Sequence, residues 1–155
     1  MLSNRGLGIK AKKCLNKGVI VPMALYGSKA WGMRSAERRK ANVLEMKCLR
    51  CLVGLSRMDR VRNEEVRRRA GIEWELVSRV DQRVLRWFGH MERMNGYCMG
   101  RSVLMAEVSG ELVRGRPRLG WMDGVKVALG NRGMTVEAAG QCTEERKEWR
   151  ALVHI

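Results

Sequence analysis

Between about Trp74 and Met94, Leu76, Val80, Val84, Trp87 and Met91 step by four, four, three and four. An α-helix brings that spacing onto one face, and Val77 and Phe88 widen the face into a core-facing stripe. Arg79, Arg83, Arg86, His90 and Arg93 step in the same way on a different face. No acidic residue shares that second face, since Asp81 and Glu92 lie well round the helix from it. The segment is therefore read as a long amphipathic helix with one apolar and one basic side.

The rest of the chain reads as helices and connections, with no internal repeat and no clear strand. The first dozen residues are rich in Gly and Lys and read as frayed. Val19, Ile20, Met23, Ala24 and Leu25 form an apolar block running to Trp31, in which Pro22 must start or kink any helix. Gly27, Ser28 and Gly32 read as a helix end and a tight connection. Ser35 suits an N-cap for a helix reaching about Val53, with Gly54 as its stop signal. On that helix Ala41, Leu44, Cys48, Cys51 and Leu55 recur on one face. Asn63 is read as the cap of a short helix that Gly71 closes. Asn95 and Gly96 end the long helix, and a weaker apolar segment follows from Val103 to Val108. Arg114-Gly115-Arg116-Pro117-Arg118 is extended or turn-like by composition. Trp121 to Leu129 reads as a short amphipathic helix. Thr135 and Thr143 read as N-caps of two last helices. Glu144 and Glu145 suit the positive first turn of the second, which carries Trp149, Leu152 and Val153.

The expected fold is all-α: a bundle of five to seven helices, in one body or two loosely associated units, with an extended basic loop near 110–120. Residues 1–56 would hold the first helices. Residues 57–100 would hold the short helix and the long basic one, and 101–155 the basic loop and C-terminal helices.

Charge narrows the function. The chain has 31 Lys and Arg against 16 Asp and Glu, a net charge of +15. Such an excess repels itself unless a polyanion is present. Nucleic acid, an anionic membrane surface and an acidic protein all qualify. No apolar run approaches the roughly 18 residues of a membrane span, and the N-terminus lacks the pattern of a signal peptide. Five cysteines, odd in number and irregular in spacing, point to a reducing, intracellular setting, nuclear or cytoplasmic.

Within that frame the basic face of the 74–94 helix is the main candidate site. Arginine's planar fork grips phosphate with two hydrogen bonds, and helical spacing lets one face follow a backbone. The alternative is a solvated surface, although such faces usually mix signs. Arg114, Arg116 and Arg118 form a second candidate. Arg114-Gly115-Arg116-Pro117 equals the core of an AT-hook, whose arginines enter a narrow A·T minor groove; a phosphate-binding loop without base preference is the other reading. Cys48 and Cys51 could begin a zinc site that His90 and Cys98 complete. Both cysteines share an apolar arc with Leu44 and Leu55, however, whereas structural zinc usually takes its Cys-x-x-Cys from a turn. No metal or cofactor is therefore expected. Catalytic constellations are also missing: there is no Asp-Asp pair, His-Glu-x-x-His, Walker loop or Gly-x-Ser-x-Gly.

Several groups of residues, taken in order, resemble one family. They are Leu25-Tyr26-Gly27-Ser28 with Trp31; Leu49 to Gly54; Asp59-Arg60-Val61-Arg62-Asn63; and Leu85-Arg86-Trp87-Phe88-Gly89-His90 with Arg93-Met94. Gly115-Arg116-Pro117 before Trp121 and Asp123, and Arg146 with Trp149-Arg150, complete the series. Their order and spacing resemble the C-terminal region, thumb and post-thumb, of non-LTR (LINE-type) retrotransposon reverse transcriptases, most of all the RTE-type elements. The likeness runs from about Cys14 to Val153. Lys29-Ala30 departs from it, because the family often has an acidic residue there; we read this as drift in a decayed or fragmentary copy. The resemblance implies that the palm, with its catalytic aspartates, lies upstream of Tyr26-Gly27. It implies that the first helices grip primer–template and the remainder helps hold RNA or DNA. The expected function is binding of RNA, DNA or their hybrid by a piece that is not itself an enzyme. Two rivals stay open: a retroelement remnant that binds a protein partner, and a metal-dependent nuclease, whose carboxylate cluster the sequence lacks.

Overall fold

The structure, a computed structural model, describes residues 6–105 and 120–154. Helices α1 (Ile9–Leu15) and α2 (Val21–Ala24) are joined by a π-helical turn, Asn16–Ile20, and a 3-10 turn follows at Ser28–Ala30. The chain continues through α3 (Ser35–Val53), a 3-10 turn (Arg57–Asp59), α4 (Asn63–Ala70) and α5 (Leu76–Glu92). Then come α6 (Met99–Met105), α7 (Trp121–Gly130), α8 (Val136–Glu144) and α9 (Arg146–Val153). The fold is all-α, with no strand among the described residues. No helix among them is long and apolar enough to cross a membrane. The basic loop expected near 110–120, with Arg114, Arg116 and Arg118, lies outside the described residues.

The chain divides into two units, Met1–Gly27 with Ser35–Val80 and Ser28–Arg34 with Asp81–Ile155, so the division falls inside α5. In the first unit α3 packs on α4 and on α1. Its core joins Met46 and Leu49 to Val66 and Ala70, with Val53, Leu55, Val61 and Ile72 against them. Gly54 and Gly71 adopt left-handed φ values of 73° and 61° just beyond α3 and α4, the conformation that lets a helix stop abruptly.

Local expectations need correction at three places before α5. The buried side of α3 carries Glu45, Met46, Leu49 and Leu52, while Leu44 is exposed. The physical reason is that Met46 and Leu49 meet Val66 and Ala70 of α4; beside them Glu45, only 6% exposed, accepts from both terminal nitrogens of Arg67 (3.2 and 2.7 Å) and from the Leu76 backbone N–H (3.0 Å). Hydrogen-bonded in this way, the carboxylate can stay buried at the edge of the apolar contact. Second, the N-terminal segment is helical from Ile9, with Lys12 buried. Of the apolar block after it, Leu25 is buried but Val19, Met23, Tyr26 and Trp31 are exposed. Third, Asn63 does not cap α4. Its Oδ1 accepts instead from Arg50 (2.8 Å), and Arg62 holds the cap position.

In the second unit the buried residues include Val84, Leu85, Phe88 and Met91 of α5, Val125, Ala128 and Leu129 of α7, and Trp149 and Val153 of α9. Gly89 lets α5 meet the Trp149 indole, which occupies the space a Cβ would take. Thr135 caps α8 as expected, its hydroxyl accepting from Ala138 N–H (3.3 Å). Thr143 does not cap α9. It lies inside α8, buried, and donates its hydroxyl to the Gly140 carbonyl (2.6 Å). Glu144 correspondingly ends α8 and Glu145 takes the cap position of α9.

Candidate nucleic-acid interface

The basic face of α5 follows from how much of the helix is covered. Leu76, Val77, Val80, Asp81, Val84, Leu85, Phe88, Gly89 and Met91 are all buried. At about 100° per residue these positions occupy more than half of the circumference. Arg79, Arg83, Arg86, His90 and Arg93 fall on what is left, and each is exposed. Asp81 is turned inward, 4% exposed, and accepts from the Asn131 amide (3.0 Å). The exposed arc thus carries no carboxylate of its own helix.

The arginines of this region have two kinds of surroundings. Some close helix ends, where backbone carbonyls lack partners and the dipole favours a cation. Arg101 donates to the Glu92 and Met94 carbonyls (2.8 Å each) at the end of α5. Arg132 donates to the carbonyls of Ala128 (3.2 Å) and Val153 (3.3 Å). Burial pulls its pKa down, opposed by the charge of Asp81. Arg93 belongs partly to this group, donating to the Thr143 carbonyl (2.8 Å) near the end of α8. Burial, and after it the Arg146 charge, lower its pKa.

Arg86 makes a lighter contact, donating to Nε2 of the terminal-helix neighbour His154 (3.0 Å). That contact requires Nε2 to be unprotonated. Arg79, in the first unit, lies over the Trp74 ring, 4.7 Å from its centroid. Both guanidinium groups remain on the surface, as does Arg83.

Trp87 is half-buried, not a core residue as its place in the apolar series implied. It sits at the border between the covered arc and the basic one. His90 lies 5.2 Å from it, ring to ring, and the Lys29 ammonium stands 4.5 Å over its face. Lys29 therefore joins Arg83, Arg86 and His90 as a basic group of the second unit. Its position is set from behind. Trp121 Nε1 donates to the Lys29 carbonyl (2.8 Å), and Gly124 brings α7 close to the backbone of Trp31 and Gly32. Nothing local in the sequence shows this, because Trp121 is 92 residues away.

Cys48 and Cys51 lie half-buried on α3. Burial, and then Cys51, push the Cys48 thiol above its ordinary value, away from the thiolate that binds metal. Among the described residues, no three His, Cys, Asp or Glu side chains are grouped to hold a metal ion. No protein-family model, curated protein or solved structure matches the chain.

Proposed function

We propose that this chain binds RNA, DNA or their hybrid, as the thumb and post-thumb region of a non-LTR retrotransposon reverse transcriptase. The observation that carries the reading is the exposed, carboxylate-free basic arc of α5. A phosphate backbone presents regularly spaced charges, and guanidinium groups at helical spacing, such as Arg83, Arg86 and Arg93 of the second unit, can meet them. The motif series from Leu25 to Arg150 supports the retroelement origin. An intracellular setting, nuclear or cytoplasmic, belongs to the same proposal.

Binding of single-stranded RNA, duplex DNA and RNA–DNA hybrid at two salt concentrations tests it. Affinity should fall steeply with salt for at least one of the three, because each phosphate contact releases counterions. Salt-independent or undetectable binding to all three would reject the reading. The exposed Met23 and Tyr26 of the first unit favour the rival, a remnant that binds a protein partner. Retention of that partner after nuclease treatment would support the rival.

A further inference from the structure

The first unit carries a basic groove with an aliphatic floor, distinct from the arc of α5. It is an open depression of about 840 Å³ beside α3, the 3-10 turn and the start of α4. Val43, Met46, Leu55 and Val61 contribute its apolar lining. Met46 belongs to the core cluster and Leu55 and Val61 pack against it, so the floor is the outer side of a packed layer. Val43 is exposed at 65%.

The charged residues that line the groove are all cationic, beside the neutral polar Asn42, Ser56 and Asn63. Lys47, Arg57 and Arg60 line it and are exposed. Arg50 lines it too, with its guanidinium fixed to the Val61 carbonyl (3.0 Å) and Asn63 Oδ1 (2.8 Å). No carboxylate is among the described residues that line it. Glu45, Asp59 and Glu64 each adjoin a lining residue in sequence; Glu45 is held by Arg67 (2.7 Å), and the Asp59 carboxylate accepts from the Ser56 backbone N–H (2.6 Å). Arg60 holds a left-handed φ of 50°, a conformation disfavoured for a residue with a Cβ. The turn thus keeps an arginine at a backbone position that glycine would fill more easily.

We propose that this groove docks an acidic amphipathic helix of a protein partner. Cations around an apolar floor complement a helix whose Leu, Ile or Met stripe is flanked by Asp and Glu. The floor favours such a helix over nucleic acid. Bases bind unstructured strands by stacking on aromatic faces, and no aromatic side chain is among the described lining residues.

The test uses the full chain and a fluorescent peptide of roughly three to four helical turns, with Leu at i, i+3, i+4 and i+7 and Glu on either side. One control peptide replaces Glu with Lys, and another replaces Leu with Ser. The Leu/Glu peptide should bind at least about tenfold more tightly than either control. Lys47→Glu with Arg57→Glu should weaken it by about tenfold or more, as should Val43→Asp. Unchanged melting temperatures show that the variants remain folded. Arg83→Ala with Arg86→Ala should leave peptide affinity intact, which separates this site from the nucleic-acid reading. Failure of the Leu/Glu peptide to bind, or binding indifferent to both groove variants, overturns the proposal. So does displacement of the peptide by RNA or DNA whose own affinity falls in the Lys47→Glu, Arg57→Glu variant.

Discussion

Trp87 and Phe88 are neighbours in sequence with opposite duties. Phe88 is 1% exposed and packs against Trp149, ring centroids 6.0 Å apart. Trp87 keeps part of its ring at the surface beneath Lys29. Phe88→Ala should cost about 3–5 kcal/mol, since it opens a cavity in a packed layer. Trp87→Ala should cost roughly 1–2 kcal/mol, because less surface is recovered from water and the lost cation–π contact is modest. Urea denaturation of the two variants checks the order. Equal losses would mean that Trp87 is a core residue after all. The period of the apolar series could not separate them: a residue on the edge of a covered arc has the same spacing as one at its centre. Glu45 shows the converse. A buried carboxylate is invisible to any hydrophobic pattern, and its partner Arg67 lies 22 residues away. Gly54, Gly71 and Thr135 read correctly, each acting within one turn of its own helix, whereas the equally local cap candidates Asn63 and Thr143 do not, because their side chains bond Arg50 and the Gly140 carbonyl instead.

At the scale of the helix, α5 was legible as an element and as a surface, while the tethers of its arginines were not. Arg93 reaches Thr143 across 50 residues and Arg86 reaches His154 across 68, separations that no periodicity encodes. The tethers divide the basic face. Arg83→Ala with Arg86→Ala should leave the fold intact and flatten the slope of log affinity against log salt by about 1.4–1.8. Arg93→Ala should act more on stability than on the slope, because it leaves a carbonyl near the end of α8 without its donor. An unchanged slope in the double variant would reduce the face to a solvated surface and move the binding claim to Arg114, Arg116 and Arg118. In α4 the charges work differently. Arg68 and Arg69 each hold Glu65 at 2.7 Å, and these hydrogen bonds lower its pKa from 4.5 to about 2. A carboxylate whose folded pKa is depressed contributes stability above its unfolded pKa and loses it as pH falls through the folded one. The melting-temperature advantage of the native chain over Glu65→Gln should therefore shrink between about pH 5 and 2. Salt should reduce it at neutral pH, since both arginines are solvent-exposed. An advantage that persists at pH 2 would contradict the pairing.

For the whole molecule the governing quantity is the net charge of +15. Like charges raise the energy of a folded chain, and a polyanion that neutralises them binds the native state in preference to the open one whenever folding places the cations in register. The melting temperature should rise on adding nucleic acid, by an amount that follows mass action: about 2.7 kcal/mol when the free ligand stands at 100 times its Kd. Two features separate a built interface from bulk neutralisation. Polyglutamate at matched charge concentration should raise the melting temperature less than the preferred nucleic acid, because it lacks phosphates at fixed spacing. The Arg83→Ala, Arg86→Ala variant retains most of the excess charge, so bulk neutralisation would leave its shift almost unchanged. A site on α5 predicts that most of the shift disappears with those two side chains and that high salt removes the remainder. Equal stabilisation by polyglutamate and nucleic acid, undiminished in the variant, would show that the chain answers to charge density alone and that the arc of α5 has no special part in it.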